Sequence, residues 1–282
     1  RMTSDDKFPG GKGINVSRVL KRLQMNSVAI GYAGGFVGQY IQTFLQEEGI
    51  ETDFIETEEI TRINVKIKAE QETELNGPGP KISHDQQEIL LEKVRAMEAE
   101  DWFVLAGSMS EEIPLTFFER LAKKCLQKDV RFVLDTSGVA LKKLIHMKPF
   151  LVKPNREELG ELFDTVIATK EDALYYAKKL IGFGVEHVIV SMGGDGALLV
   201  TEKLALTAKA PKGKVVNTVG AGDSLVAGFI ASYVENEDAI EAFRYGVASG
   251  SATAFRSDLC ERAGVLALLN DVELIDEMDV KR

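Results

Sequence analysis

The stretch Thr218-Val219-Gly220-Ala221-Gly222-Asp223-Ser224 gathers residue types that can handle an anion and a proton in one place. Its small residues run into Leu225-Val226-Ala227-Gly228-Phe229-Ile230-Ala231, a segment with almost no polar face, which predicts a buried helix. Free N–H groups and the positive dipole end at the start of such a helix attract an anion. Into that spot the chain puts a carboxylate, Asp223. The chemistry this suits is removal of a proton from a hydroxyl that attacks a phosphate. Asp is also a favoured N-cap residue, and Gly-x-Gly before a helix often only makes a tight turn, so this motif alone leaves both readings open.

Other segments carry related chemistry. Gly10-Gly11-Lys12-Gly13-Ile14-Asn15 offers close backbone approach, a point charge at Lys12 and a hydroxyl-bridging amide at Asn15. It is not a Walker A loop, because the Gly-x-x-x-x-Gly-Lys-Ser/Thr spacing occurs nowhere in the chain. Ser191-Met192-Gly193-Gly194-Asp195-Gly196 suits a nucleotide loop, and equally a hairpin turn into Ala197-Leu198-Leu199-Val200. In Lys153-Pro154-Asn155-Arg156-Glu157-Glu158, Asn155 and Glu158 have capping-box spacing, while Glu158 can instead reach a magnesium-bound water. Arg62 can clamp a phosphate or lie in solvent. Asp135 ends a strand in Leu134-Asp135-Thr136-Ser137-Gly138 and is placed to support a metal site. His84, His146 and His187 are isolated and form no metal pair.

Short apolar runs at residues 28–32, 102–105, 131–134, 150–152 and 187–190 predict strands. Helices are expected from the capping box at Ser83, with Ile89, Leu90, Val94 and Met97 on one face, and after Pro114, with Phe117, Phe118, Leu121, Ala122 and Cys125 on its stripe. Another is expected from Thr169, with Ala173, Leu174, Ala177 and Leu180 inside. This alternation predicts a mostly parallel sheet covered on both faces, with the chemistry at the carboxyl ends of the strands. Residues 52–76 differ: period-2 alternation, clearest over residues 63–69, predicts a half-exposed antiparallel strand in a small β lid over the cleft or against a second subunit. A core of residues 9–51 and 77–282 with a lid of residues 1–8 and 52–76 is the expected division.

With 282 residues, 45% of them hydrophobic, the chain can bury a full core. A formal net charge of −10 without any Lys/Arg block argues against a nucleic-acid partner. No window approaches the roughly 20 apolar residues of a membrane span, so no membrane partner is expected. Cys125 and Cys260, far apart and without metal spacing, suit a reducing compartment, and a cytoplasmic protein is expected. A dinucleotide oxidoreductase is disfavoured, since no Gly-x-Gly-x-x-Gly follows an early strand. The sequence reaches its first glycine-rich turn within ten residues of Arg1, where a parallel-sheet enzyme begins with a buried strand, and such a strand is expected ahead of it.

Taken together, Gly-Gly-Lys-Gly-Ile-Asn, Lys153-Pro154-Asn155 through Glu158 and Asn-Thr-Val-Gly-Ala-Gly-Asp-Ser resemble, in order and interval, the signatures of the ribokinase-like (PfkB) carbohydrate kinases. Phe8 to Arg18, Thr61 to Lys66 and Gly250-Ser251-Ala252-Thr253-Ala254 are similar to the family's bacterial 1-phosphofructokinase branch, with tagatose-6-phosphate kinases as relatives. The resemblance implies a three-layer α/β/α fold with a β lid and ATP-dependent phosphorylation of the 6-hydroxyl of fructose 1-phosphate. By the same resemblance Asp223 is the base, the N–H groups of Gly220, Ala221 and Gly222 hold the γ-phosphoryl, and Lys12 and Arg62 take the sugar's phosphate. Gly11, Gly13, Asn15 and Ser108 face the sugar; Lys153, Asn155, Ser191, Gly193, Gly196 and Thr218 border ATP; Glu158 acts through magnesium. A homodimer through the lid is also implied. The family's Asn-Pro-x-x-Asp segment has no counterpart upstream of Gly10. Alternatives are a tagatose-6-phosphate kinase, a 6-phosphofructokinase, or a non-catalytic sugar-phosphate sensor on the same fold.

Overall fold

The computed structural model describes residues 7–67, 73–109 and 113–277. Among these, a seven-stranded sheet runs in the order β11-β10-β9-β8-β7-β6-β5. Its strands are β5 (Trp102–Ala106), β6 (Arg131–Asp135), β7 (Leu151–Val152), β8 (His187–Ser191), β9 (Ala197–Val200), β10 (Ala205–Ala208) and β11 (Leu274–Asp276). Strands β5 to β8 are parallel, as the helix–strand alternation predicts. Strands β9, β10 and β11 form an antiparallel edge, because the Gly-Asp-Gly turn after β8 is a hairpin rather than a crossover.

Period-2 alternation in these strands divides the apolar side chains between two cores. Phe132, Leu134, Val188, Val190, Leu198 and Val200 face α3 (His84–Ala96), α4 (Leu115–Gln127), α5 (Gly138–Leu144), α6 (Arg156–Leu162) and α7 (Lys170–Gly182). Val133, Ile189, Ala197 and Leu199 face the other way, onto α1 (Lys12–Arg22), α8 (Ala221–Asn236), α9 (Ala239–Ala254) and α10 (Arg262–Leu268). That is the expected helix–sheet–helix sandwich. Helix α8 buries Asp223 through Ser232 without a break, as its apolar run predicts. Capping boxes open α3 at Ser83 and α7 at Thr169. On α3 the stripe is shifted: Leu91 is buried and Ile89 is half exposed, since Leu90, Leu91 and Val94 form the tighter face against the sheet.

Two small sheets stand apart from the large one. Strands β1 (Val28–Ala33) and β2 (Glu51–Glu56) pair in parallel, joined by α2 (Gly35–Glu47). The alternation beginning at Thr52 therefore does not signal an antiparallel lid strand; β2 alternates because it is a parallel strand covered mainly on one side. Strands β3 (Asn64–Ile67) and β4 (Thr73–Asn76) form the antiparallel lid. Val65 and Leu75 sit opposite each other and both are exposed, as are Ile63 and Ile67. Residues 1–6 and 68–72, included in the expected lid, lie outside the described residues.

Candidate active site

The sheet topology brings the chemically suited residues to one edge. Asp135 is the last residue of β6, Lys153 and Asn155 follow β7, and Ser191 ends β8, all at the carboxyl ends of parallel strands. Asn155 and Ser191 form a parallel bridge that prolongs the β7–β8 ladder into the site. The N-terminal ends of α1 and α8 close over this edge. A cleft of about 2160 Å³ results, lined among others by Gly11, Lys12, Gly13, Asn15, Arg62, Ser108, Lys153, Asn155, Glu158, Ser191, Thr218, Gly220, Gly222 and Asp223. It also runs between β1 and β5, which no ladder joins among the described residues. Part of this volume is therefore the slot between β1 and β5 and not the space beside Asp223.

Asp223 is the third residue of α8 and only 6% exposed. Asn15 Nδ2 donates to its Oδ2 at 2.7 Å, a contact across 208 residues of sequence. Burial pushes the Asp223 carboxyl above its ordinary value; the Asn15 hydrogen bond and the charges of Lys153 and Lys12 pull it down, and nearby Asp135 pushes it up again. The net direction is upward. A carboxylate so placed is a better proton acceptor than one in water.

Gly220 caps α8 in the left-handed region, at φ 80°, where a Cβ would also meet the side chain of Leu259. This explains the glycine without reference to any ligand, and it leaves the first helical amides facing the cleft. Ala221 is the exception among the three loop residues, because its N–H donates to Thr218 O at 3.2 Å.

Two lysines flank the acid. Lys153 is buried, and its ammonium lies against Gly222, 3.2 Å from where a Cβ would stand. Lys12 donates to Asp135 Oδ1 at 3.0 Å and lies 3.6 Å from Glu158 Oε1. Lys153 reaches the same Asp135 oxygen at 3.4 Å. Asp135 is thus a buried anion shared by two cations, and its Oδ2 has no hydrogen-bond partner among the described residues. Burial alone disfavours the charge on Lys12, but Asp135, Glu158 and Asp223 outweigh it and hold the ammonium above its ordinary value. Lys12 therefore sits beside the acids in the cleft. Arg62 leads into the lid and donates from Nη2 to Ser108 Oγ at 2.6 Å.

Glu158 fulfils the capping reading of its segment. Its Oε2 accepts from Asn155 N at 2.9 Å while Asn155 Oδ1 accepts from Glu158 N at 2.7 Å, so the pair caps α6. Its Oε1 is left to face Lys12. The Ser191 turn divides differently. Ser191 lines the cleft, whereas Gly193 and Gly196 are not among its lining residues, and a Cβ on Gly196 would collide with the carbonyl of Ala208. Tight packing of the β8–β9 hairpin on β10 accounts for that glycine.

Comparison with known proteins decides what this arrangement belongs to. The family model described as pfkB family carbohydrate kinase matches residues 1–262. The chain belongs to the pfkB family of carbohydrate kinases. As a pfkB-family kinase it is a phosphotransferase that uses ATP. It is similar to the 1-phosphofructokinase of Bacillus subtilis (strain 168), 53% identical over 274 residues, which cover 97% of this chain and 90% of the relative. The D-tagatose-1-phosphate kinase of Bacillus licheniformis is 36% identical over 260 residues, covering 92% and 86%. Among solved structures, phosphofructokinase-2 of Escherichia coli in complex with fructose-6-phosphate superposes with a TM-score of 0.89 at 30% identity, over 96% of this chain and 89% of that one. The pfkB kinase fold, a central sheet with helices on both faces and a small lid sheet, is therefore shared.

Sequence reasoning assigned Asp135 only a supporting part and gave Lys153 to the nucleotide alone. The signal for both was local: a charged residue at the carboxyl end of a short apolar run, at the edge where active sites form.

Proposed function

We propose that this protein transfers the γ-phosphoryl group of ATP to the 6-hydroxyl of fructose 1-phosphate, yielding fructose 1,6-bisphosphate and ADP. The observation that carries the reading is the buried Asp223 carboxylate at the mouth of α8, beside Asn15 and two lysines. Asp223 takes the hydroxyl proton as the sugar oxygen attacks phosphorus and the bond to the ADP oxygen breaks. The amides of Gly220 and Gly222, with the Lys153 ammonium, receive the charge that spreads over the equatorial oxygens. Arg62 and Lys12 take the substrate's 1-phosphate, and Asn15 and Ser108 its hydroxyls, with Gly11 and Gly13 allowing close approach. Asn155, Ser191 and Thr218, which line the cleft, border the nucleotide.

Magnesium on nucleotide phosphates needs only one or two protein carboxylates, the rest of its shell being water and phosphate. The oxygens present fit this: Glu158 Oε1 faces the cleft, and the buried Asp135 Oδ2 has no protein hydrogen-bond partner. Among the described residues no cluster of three or more His, Cys, Asp or Glu forms an all-protein metal cage. Glu158 and Asp135 would hold the ion, directly or through water, and bound there it would neutralise phosphate charge.

The similarity to a D-tagatose-1-phosphate kinase favours one second reading, because that sugar leaves the same 6-hydroxyl free. A coupled assay of ADP release tests both. Fructose 1-phosphate is expected to give the highest kcat/KM against tagatose 1-phosphate, tagatose 6-phosphate and fructose 6-phosphate. A faster alternative sugar overturns the substrate assignment, and tight sugar binding with no turnover on any supports a sensor.

We further propose a homodimer through the lid, supported by the exposed apolar face of Ile63, Val65, Ile67 and Leu75. A face of this kind rarely stays open to water in a single-copy protein. Val65→Asp with Leu75→Asp is expected to halve the mass measured by sedimentation equilibrium; an unchanged mass rejects the lid as the interface. A cytoplasmic location is supported by two buried free cysteines, and among the described residues no helix is long and apolar enough to cross a membrane.

A further inference from the structure

We propose that Thr253 is a positioning residue for phosphoryl transfer, acting through Ser224 on the Gly220–Ala221 peptide of the anion loop. This rests on the reading that the loop receives the transferred group.

Ser224, on α8, and Thr253, on α9, are both buried, and their hydroxyl oxygens lie 2.7 Å apart. Ser224 Oγ donates its one proton to Gly220 O at 2.8 Å. The proton between the two hydroxyls must then come from Thr253, which leaves Thr253 Oγ1 as the acceptor for the N–H of Cys260 at 2.9 Å. Gly220 O also accepts from Ser224 N at 2.8 Å, so both lone-pair directions of that carbonyl are filled. The other end of the same planar peptide, Ala221 N–H, donates to Thr218 O. At the far end, Arg22 Nη1 donates to Leu259 O at 2.7 Å, the carbonyl of the peptide whose N–H is that of Cys260.

An unbroken chain of donors therefore points one way, from Arg22 through the Leu259–Cys260 peptide, Thr253, Ser224 and the Gly220–Ala221 peptide to Thr218. Bonds aligned in one sense polarise one another. Arg22 is itself fixed by Asp258 at 2.7 Å and Glu48 at 3.1 Å, so the chain starts from a braced cation. Its product is a loop peptide that cannot flip. Loosening it would let the first turn of α8, which carries the Gly222 amide and Asp223, shift relative to the transferred group. Because transition-state contacts are more sensitive to misplacement than ground-state binding, the effect falls on kcat.

Thr253→Val keeps the shape and removes both bonds. Expected is a kcat about tenfold lower, with KM for fructose 1-phosphate changed by less than about twofold. Thr253→Ser should restore kcat to within about twofold of wild type, which repair of packing alone would not achieve. Ser224→Ala leaves the Thr253–Cys260 bond and should lose the same about tenfold, and the double variant should be no slower than either single one, since both act at one endpoint. Wild-type kcat in Thr253→Val, failure of Thr253→Ser to recover, or losses that multiply would each overturn the proposal. If thermal melting shows Thr253→Val unfolded at the assay temperature, Ser224→Ala decides alone, and wild-type kcat there is equally fatal. Absence of wild-type turnover on every phosphosugar defeats the function reading as well, whereas normal turnover with unaffected variants defeats only this one.

Discussion

Replacing Asp223 with asparagine lowers kcat by roughly 10²–10⁴-fold, the range for loss of a general base, and leaves ATP and sugar phosphate bound. The substitution is close to isosteric, and the Asn15 amide keeps an oxygen to donate to. What disappears is the basic oxygen. In the wild-type enzyme the rate falls on the acid side as Asp223 is protonated, and burial puts that limb above the ordinary carboxylate value of 3.8. The residual rate of the variant lacks this limb. A variant within about twofold of wild type removes Asp223 from the chemistry.

The same substitution has a stability signature of opposite sign. A carboxyl whose folded pKa is raised favours folding in its protonated form. That stability is present below 3.8 and is lost as pH rises through the higher folded value. Near neutrality the wild-type fold carries an ionised, buried Asp223, so Asp223→Asn should melt at a higher temperature than wild type there. The gap should close towards acid. Thermal melts across that range check it, and a less stable variant at neutral pH contradicts the assignment.

Asp135→Ala is expected to cost about 3–5 kcal/mol in urea unfolding, because it strands the buried Lys153 ammonium without its anion. Lys12 is more exposed and loses less, since water can solvate it. Combining Asp135→Ala with Lys153→Met should recover much of the loss, as no buried charge is then unpaired. A cost below about 1 kcal/mol for the single variant means that Lys153 finds another partner or water.

Much of this site was legible because its chemistry is local. The helix at Asp223, the capping pair Asn155–Glu158 and the apolar strands are each written within a few residues, where periodicity and capping rules apply. What the sequence hid involves distance. The Asp135 bridge joins Lys12, 123 residues away, to Lys153, and nothing near Leu134-Asp135 signals two cations. Nor does anything near Lys12 in the sequence signal that Asp135 and Glu158 lie beside it. The β8–β9 hairpin was open in its Gly-Asp-Gly turn, but β10 and β11 were missed because strands of three or four residues carry too little period to mark them. Gly196 shows the converse: a neighbouring carbonyl, invisible in sequence, is enough by itself to require the glycine.

The pairing of Asn15 with Asp223 has a bearing on how the enzyme comes into being. These partners are separated by 208 residues, and at 5–20 residues per second a ribosome takes roughly 10–40 s to go from one to the other. Throughout that interval the nascent chain has Lys12 and Asn15 but not Asp223. On the mechanism proposed above, a half-made molecule squanders no nucleotide, and turnover begins only once α8 has emerged and docked beside α1.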